Sequence, residues 1–348
     1  MTENCIGWDV GGAHLKAVLL NKDGQVLAAT QVYCPLWRGL RELEFAIDNI
    51  LLELNAHQHA VTMTGELVDI FPNRREGVMQ IAAKMSSKLH GKVRYYAGRH
   101  GFVRYHAVEQ HWADIASMNW FASVEYVAKN VRKALFIDIG STTTDIALIE
   151  NGLPQTKGFT DATRMQCDEL VYTGVVRTPL MAMAQKIPFT GQMTNVAAEF
   201  FATAADVYTL TGDSNPAENM AETADGADKS IQACTCRIAR MIGCDADDAP
   251  ISAWVDLAQS FKKVQLEQIR QSLIKQISRL QDHSGLQLIG AGTGAFLVAE
   301  LAKQLNLEYH AVSEFMTGAD KDATDMAAVC FPAFTVAFLA NKDAGVFA

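Results

Sequence analysis

One pattern occurs twice in this chain and limits its fold more than any other feature. "IGWDVGGAHLKAVLL" (residues 6–20) and "LFIDIGSTTTDIALI" (residues 135–149) share a single layout. Each runs as an apolar strand, an aspartate, an apolar residue, a glycine, a short turn of small or polar residues, and a second apolar strand. A repeated supersecondary unit of this kind predicts two similar domains facing each other across a cleft. The 348 residues are enough for both to bury a core.

The residues after each copy support an α/β class. Behind the first hairpin come a third strand over 25–33 and a helix over 37–54, with apolar residues at three- and four-residue steps. A strand at 60–64, a helix over 76–89 and a strand at 93–97 follow. The second hairpin leads into mostly helical sequence, with helices predicted over 195–210, 228–242 and 257–280. Then come a strand at 286–290, the glycine-rich "GAGTGAF", a helix to 304, the strand "EYHAV" and a last apolar helix. The domains are read as 1–133 and 134–348, with a helical insertion at about 165–285 and the final helix packing back on the first domain. Residues 211–230 read as an exposed loop.

Charge and composition exclude several classes. A net charge of −9 and a pI near 5.5 argue against nucleic acid or an anionic membrane as partner. The start, "MTENCIGWDVGG", has neither a basic nor a long apolar leader segment. The longest apolar stretch, 326–340, is interrupted by Pro332 and Thr335 and falls short of the roughly 18 residues of a spanning helix. Seven cysteines, an odd number, are expected to be reduced thiols of a cytoplasmic protein. "CTC" at Cys234 and Cys236 has no second close pair and reads as packing rather than zinc binding. "HQH" at His57 and His59 reads as a solvated loop. Nothing in the sequence excludes a homo-oligomer.

The turns carry the chemistry. Gly11, Gly12 and Gly140 permit tight turns whose backbone N–H groups converge on an anion, phosphate above all. Ser141, Thr142, Thr143 and Thr144 add hydroxyl donors. Asp9 and Asp138 stand at strand ends beside these turns, where a carboxylate holds Mg2+ that in turn bridges phosphates. Asp145 is a third candidate metal ligand. "DVGG" alone is an ordinary hairpin turn, and "IGAGTGAF" alone is any strand-to-helix turn. "DIGSTTTD" is far more specific, and the three in this order form a strong combined signal.

These segments resemble the two phosphate motifs and the adenosine motif of the actin, sugar-kinase and heat-shock ATPase superfamily. "DIGSTTTDIALI" is most similar to its hydantoinase A and oxoprolinase branch. "MTGELVDIFPNRREGV" (63–78), "DELVYTGVVRTPL" (168–180), "EFFATAADVYTLTGD" (199–213) and "TADGADKS" (223–230) resemble a narrower family, linked to tetrahydromethanopterin-dependent C1 transfer. That family includes the synthase of the furanylmethyl–phenol ether in methanofuran biosynthesis. The resemblance implies two ribonuclease-H-like (actin-like) domains with a central cleft, the second carrying extra helices. It implies transfer of a furanylmethyl group from its diphosphate to a (glutamyl)tyramine- or tyrosine-like phenol, with release of pyrophosphate. The alternative is an ATP-dependent small-molecule kinase or an oxoprolinase-like hydrolase, and only then is ATP a substrate.

Taken together, the turns, the carboxylates at the strand ends beside them and the resemblance make Asp9, Asp138 and Glu66 the catalytic candidates, and Asp9, Asp138 and Asp145 the Mg2+ ligands. Gly11, Gly12, Ala13, His14, Lys16, Gly140, Ser141, Thr142, Thr143, Thr144, Gly290, Gly292, Thr293 and Gly294 are the diphosphate- or nucleotide-binding candidates. Glu66 reads equally well as an acid complementing a helix N-terminus. Arg74, Arg75, Arg164 and Arg177 are candidate partners of a diphosphate or carboxylate, with surface solvation favoured for at least two of them. The expected partners are a small-molecule diphosphate and a phenolic acceptor.

Overall fold

Apolar alternation shapes the first sheet. β1 (Cys5–Val10), β2 (His14–Leu20) and β3 (Val26–Tyr33) form an antiparallel meander, with Asp9 opposite Lys16 and Leu15 opposite Val32. β4 (Gln58–Met63) and β5 (Lys92–Tyr96) run parallel, β4 beside β1, and β6 (Phe102–Val103) closes the edge antiparallel. The sheet order is β3-β2-β1-β4-β5-β6. Because side chains alternate across a strand, Ile6, Trp8 and Val10 share one face with Leu15, Ala17, Val61 and Met63. They pack there with Leu43, Ile47 and Ile50 of helix Leu40–Glu53 and Val78, Ile81 and Met85 of helix Arg74–Lys88.

The opposite face is covered by the C-terminal helix Phe331–Lys342, which approaches so closely that a Cβ on Gly7 would lie 1.9 Å from the Ala333 carbonyl oxygen. The apolar run 326–340, expected as one helix, is two. Lys321–Val329 and Phe331–Lys342 meet at a bend of 102°. Pro332 lacks the N–H that a continuous helix would use, and its ring clashes with the preceding turn. Among the described residues no single helix is long and apolar enough to cross a membrane.

The computed structural model describes residues 4–214, 219–343 and 345–347. The second sheet repeats the plan of the first. β7 (Lys133–Ile139) lies between β8 (Thr144–Glu150) and a later parallel strand, with β9 (Leu153–Pro154) and β10 (Leu170–Val171) both pairing with β8. β11 (Lys186–Phe189) and β12 (Gln192–Asn195) make a separate hairpin. β13 (Gln287–Ala291) is the parallel neighbour of β7, placing Ala291 opposite Asp138, and β14 (Glu308–Ala311) completes the order β10-β8-β7-β13-β14. With the short strands β6 and β9 set aside and the rest numbered within each sheet, both place five strands 3-2-1-4-5, the ribonuclease-H-like order.

The compact units are Met1–Lys133 with Ile149–Gln155 and Ala311–Ala348, and Ala134–Leu148 with Thr156–His310. The tail from Ala311, final helix included, groups with the first unit, and the second unit ends at His310. The added helices of the second unit are Ala204–Thr211, Ile231–Arg240 and the 27-residue Ile251–Ile277, around Leu180, Ile187, Trp254 and Phe261. The helix expected from 195 begins only at Ala204. Thr203 and Asp206 form a capping box there, the Thr203 N–H donating to Asp206 Oδ2 at 2.9 Å, and a cap of this kind marks a helix start. Of the expected loop 211–230, residues 215–218 lie outside the described residues. Its later part is anchored by Arg237, which is fully buried. Arg237 donates to Asp206 Oδ1 at 2.8 Å, to Asp225 Oδ1 at 3.0 Å and to the Asp228 carbonyl at 3.1 Å.

Candidate active site

Both glycine turns are built the same way. The Gly11 N–H donates to the His14 carbonyl at 3.0 Å, and the Gly140 N–H donates to the Thr143 carbonyl at 2.9 Å. Those two N–H groups therefore close their own turns and cannot also serve an anion. The projecting residues are Gly12-Ala13 and Ser141-Thr142. Gly11, Gly12 and Gly140 are not among the glycines with positive φ.

In the first unit, Asp9 is buried on β1 beside Thr62 of β4. The turn that follows is in contact with "TGEL": a Cβ on Gly65 would come within 3.1 Å of the Val10 and Gly11 carbonyl oxygens. Glu66 is buried there, accepting a 2.6 Å hydrogen bond from Ser117 Oγ to its Oε1. Gly77 of the adjoining helix lets that helix rest on the Glu66 backbone, since a Cβ would lie 2.6 Å from the Glu66 carbonyl oxygen. The His14 ring is buried at 6.1 Å from Tyr33, edge to face. Asp9, the 11–14 turn and Glu66 thus belong to one locale. Lys16 does not act there as expected. Its ammonium donates to the Val329 carbonyl at 3.1 Å, at the end of helix Lys321–Val329 where unpaired carbonyls need donors.

In the second unit three chain segments meet. Gly292 has φ +79, and a Cβ on it would lie 2.3 Å from Asp138 Oδ1 and 2.5 Å from the Ile139 carbonyl oxygen. The Gly294 N–H donates to that same carbonyl at 2.8 Å. The N–H groups of Val175, Val176 and Arg177 donate to the carbonyls of Gly140, Ser141 and Ser141 at 3.0, 3.1 and 2.8 Å. Two hydroxyl oxygens in this region, Ser141 Oγ and Thr293 Oγ1, are buried with no hydrogen-bond partner among the described residues. Thr142 and Thr143 beside them are half-buried. Helix Ala295–Leu305 starts directly after Thr293 and Gly294.

Several expected site residues have other duties. Thr144 is fully buried and its hydroxyl donates to the Thr173 carbonyl at 2.7 Å, so it holds the loop rather than a phosphate. Asp145 Oδ1 receives Arg164 at 2.6 Å, and Arg164, 1% exposed, also donates to the Glu169 carbonyl at 2.8 Å. A buried guanidinium needs its carboxylate, which turns Asp145 from metal ligand to structural partner and removes Arg164 from the surface. Gly290 packs on Tyr309 and Val298, where a Cβ would lie 2.9 and 3.1 Å from them, so it serves strand–helix packing. Arg75 pairs with Glu109 in the open. His59 is buried, not solvated. It accepts from Trp8 Nε1 at 3.2 Å, its Nε2 lies 3.2 Å from the His90 carbonyl, and burial pulls its pKa down to about 4.

Residues not singled out from sequence adjoin this locale. A Cβ on Gly174 would fall 2.5 Å from the Thr142 nitrogen and 2.6 Å from the Gly140 carbonyl oxygen, so only glycine lets its strip lie under the loop. Gln265 of the long helix is buried and donates to Thr173 Oγ1 at 2.8 Å and the Gly174 carbonyl at 2.9 Å, while accepting from the Tyr208 hydroxyl. Burial first, then the Asp213 and Glu300 charges, push the Tyr208 phenol far up, so it acts as a donor. Tyr208, Phe296, Val175, Val176, Ala205 and Thr293 line a pocket together with Asp213, Ser214 and Asn219. The signal for Gly174 is "YTGVV" within residues 168–180, whereas Gln265 has none beyond its helix.

Residues 57–319 match the hydantoinase/oxoprolinase family. Two relatives share the name (4-{4-[2-(gamma-L-glutamylamino)ethyl]phenoxymethyl}furan-2-yl)methanamine synthase. The one from Methanocaldococcus jannaschii is 29% identical over 339 residues, 97% of this chain and 98% of its own. The one from Methanococcus vannielii is 26% identical over 222 residues, 63% of this chain and 96% of its own. Among solved structures, nucleotide-free acetone carboxylase superposes with a TM-score of 0.57 at 12% identity, covering 97% of this chain and 70% of that one. Matched over most of its length, with the ribonuclease-H-like sheet present twice, the chain belongs to the hydantoinase/oxoprolinase family.

Proposed function

We propose that this chain is a synthase in methanofuran-type cofactor assembly. It joins a furanylmethyl diphosphate to a (glutamyl)tyramine- or tyrosine-like phenol and releases pyrophosphate. The name shared by the two relatives describes a phenoxymethyl-furan, a molecule whose central bond joins a phenol oxygen to a furanylmethyl carbon. The observation that carries the reading is the polar locale of the second unit. The buried, unpartnered Ser141 and Thr293 hydroxyls are donors suited to a diphosphate, and the Asp138 carboxylate against the Gly292 backbone is suited to the cation that accompanies one.

The same residues fit Mg2+, a hard cation that takes oxygen ligands and binds through one or two carboxylates together with substrate phosphates. Asp138 would hold it, and when bound it supplies charge neutralisation for the leaving diphosphate. Ser141, Thr142, Thr143 and Thr293 would donate to the phosphate oxygens. The bond between the furanylmethyl carbon and the diphosphate oxygen breaks with its electron pair leaving on pyrophosphate. The furan oxygen stabilises positive charge on that carbon, the phenol oxygen forms the new bond, and its proton passes to a base. Asp9 and Glu66 are the proposed carboxylates of the first unit. Tyr208, Phe296 and the two valines offer apolar walls suited to an aromatic ring.

The test is direct. The chain is incubated with a furanylmethyl diphosphate, Mg2+ and tyramine or γ-glutamyltyramine, and ether and pyrophosphate are measured by mass spectrometry and a coupled assay. Ether and pyrophosphate in equal amounts without ATP are expected. ATP hydrolysis stimulated by an acceptor, with no ether formed, would replace this reading with the ATP-dependent kinase or hydrolase.

A further inference from the structure

We infer that His100, His111 and Asp114 form a binding site for one zinc-like divalent transition-metal ion. The inference is independent of the proposed reaction, because all three residues belong to the first unit and none is in the machinery described above.

The donor atoms already have the spacing of a coordination shell. Asp114 Oδ2 lies 3.3 Å from His111 Nδ1 and 3.6 Å from His100 Nε2, and one donor from each residue falls within 4.8 Å of the others. Two ligand atoms bound tetrahedrally to zinc at about 2.0–2.1 Å are themselves about 3.3–3.4 Å apart. An ion therefore enters with small side-chain rotations. Two imidazoles and one carboxylate are a borderline-soft set that suits Zn2+, and also Co2+ or Ni2+, better than Mg2+ or Ca2+.

The backbone holds the donors in place from two directions. His100 ends the short turn Gly98–His100 between β5 and β6, which the Ala97 N–H closes by donating to the Gly101 carbonyl at 2.7 Å. His111 precedes the turn of helix Trp112–Ile115, and the Asp114 N–H donates to the His111 carbonyl at 3.0 Å. The two segments touch, since a Cβ on Gly98 would lie 3.2 Å from Met118 and 3.7 Å from the Asp114 carbonyl oxygen. The His100 and His111 rings lie 5.1 Å apart, centroid to centroid. At 56%, 22% and 42% side-chain exposure, His100, His111 and Asp114 leave the ion an open path from solvent. Bound there, it ties the β5–β6 turn to the following helix, with positions left for water or a further ligand.

The full chain, stripped with a chelator, is titrated with Co2+ while its visible d–d absorption is followed, then with Zn2+ by calorimetry in excess Mg2+, which occupies oxygen-only sites. Saturation of a tetrahedral Co2+ spectrum, displaced by Zn2+, is expected. Each of His100→Ala, His111→Ala and Asp114→Asn should weaken this by about 100-fold or more, above the outer-shell effects of metal sites. His106→Ala, an exposed histidine of the same stretch outside the set, should leave it unchanged. Zn2+ should also slow amide exchange at 98–101 and 112–115 in the wild type and not in the His100→Ala chain. An ion pair without metal affinity predicts no saturable binding, and that result overturns the site. So does wild-type affinity retained by both histidine variants.

Discussion

Gly292→Ala tests the contact on which the second-unit locale depends. Two penalties apply. Alanine at φ +79 occupies the left-handed region, at about 1–2 kcal/mol. Its Cβ would also stand 2.3 Å from Asp138 Oδ1 and 2.5 Å from the Ile139 carbonyl oxygen, far inside van der Waals contact, and relieving such overpacking costs about 1–3 kcal/mol. Together they predict a loss of about 2–5 kcal/mol. Gly243 is the internal control, with φ +72 in the same unit and nothing within 4 Å of where its Cβ would stand. Gly243→Ala therefore carries the backbone penalty alone. The assay is scanning calorimetry of both variants and wild type, with amide exchange assigning the loss to the strands around β7 and β13. Because the clash is resolved by moving either the turn or Asp138, pyrophosphate release should fall in Gly292→Ala and persist in Gly243→Ala. Equal destabilisation of the two variants would show that Gly292 does not press on Asp138, and the argument for a shared locale would fail.

Asp138→Asn removes charge with little volume and should lower turnover about 10²–10³-fold with the melting temperature unchanged. Full activity at saturating Mg2+ takes Asp138 out of the site. Arg164→Met leaves the Asp145 carboxylate without its buried partner and should cost about 3–5 kcal/mol in denaturant unfolding. Much of that should return in Arg164→Met/Asp145→Leu, and if none returns the two residues are not a pair. His59 gives a pH signature: its pKa is about 4 when folded against an ordinary value of 6.5, so between those values the unfolded chain binds a proton that the folded chain does not. Stability from this residue is complete above about pH 6.5 and declines as pH falls towards 4, by roughly 3 kcal/mol in all. His59→Gln should flatten that limb in urea titrations, and an unchanged slope would place the proton uptake elsewhere.

The strands, turns and duplication were legible because each depends on neighbours close in sequence. Period-two alternation in 6–20 and 135–149 sets which side chains face a core, and a glycine between apolar runs marks a turn. Thr203 and Asp206 hid a helix start inside a helical-looking run, and Pro332 broke into two an apolar stretch expected as one helix. Both features are local and carry sequence signals that periodicity outweighs. The partners were a different matter. Lys16 with Val329, Arg164 with Asp145, His59 with Trp8, and Gln265 with Thr173 are joined only because separate strands and helices come to lie side by side. Asp138, Ser141 and Thr293 could be named as polar candidates from sequence. That Gly292 rests on Asp138 and Gly174 lies beneath the 140–143 turn followed only from chain segments being brought within van der Waals distance. The sequence by itself determined the two α/β halves and the residue types at their turns. Tertiary structure decided which of those residues are spent on holding the fold and which keep a donor or carboxylate for a ligand, because that depends on distances between segments that no local pattern encodes.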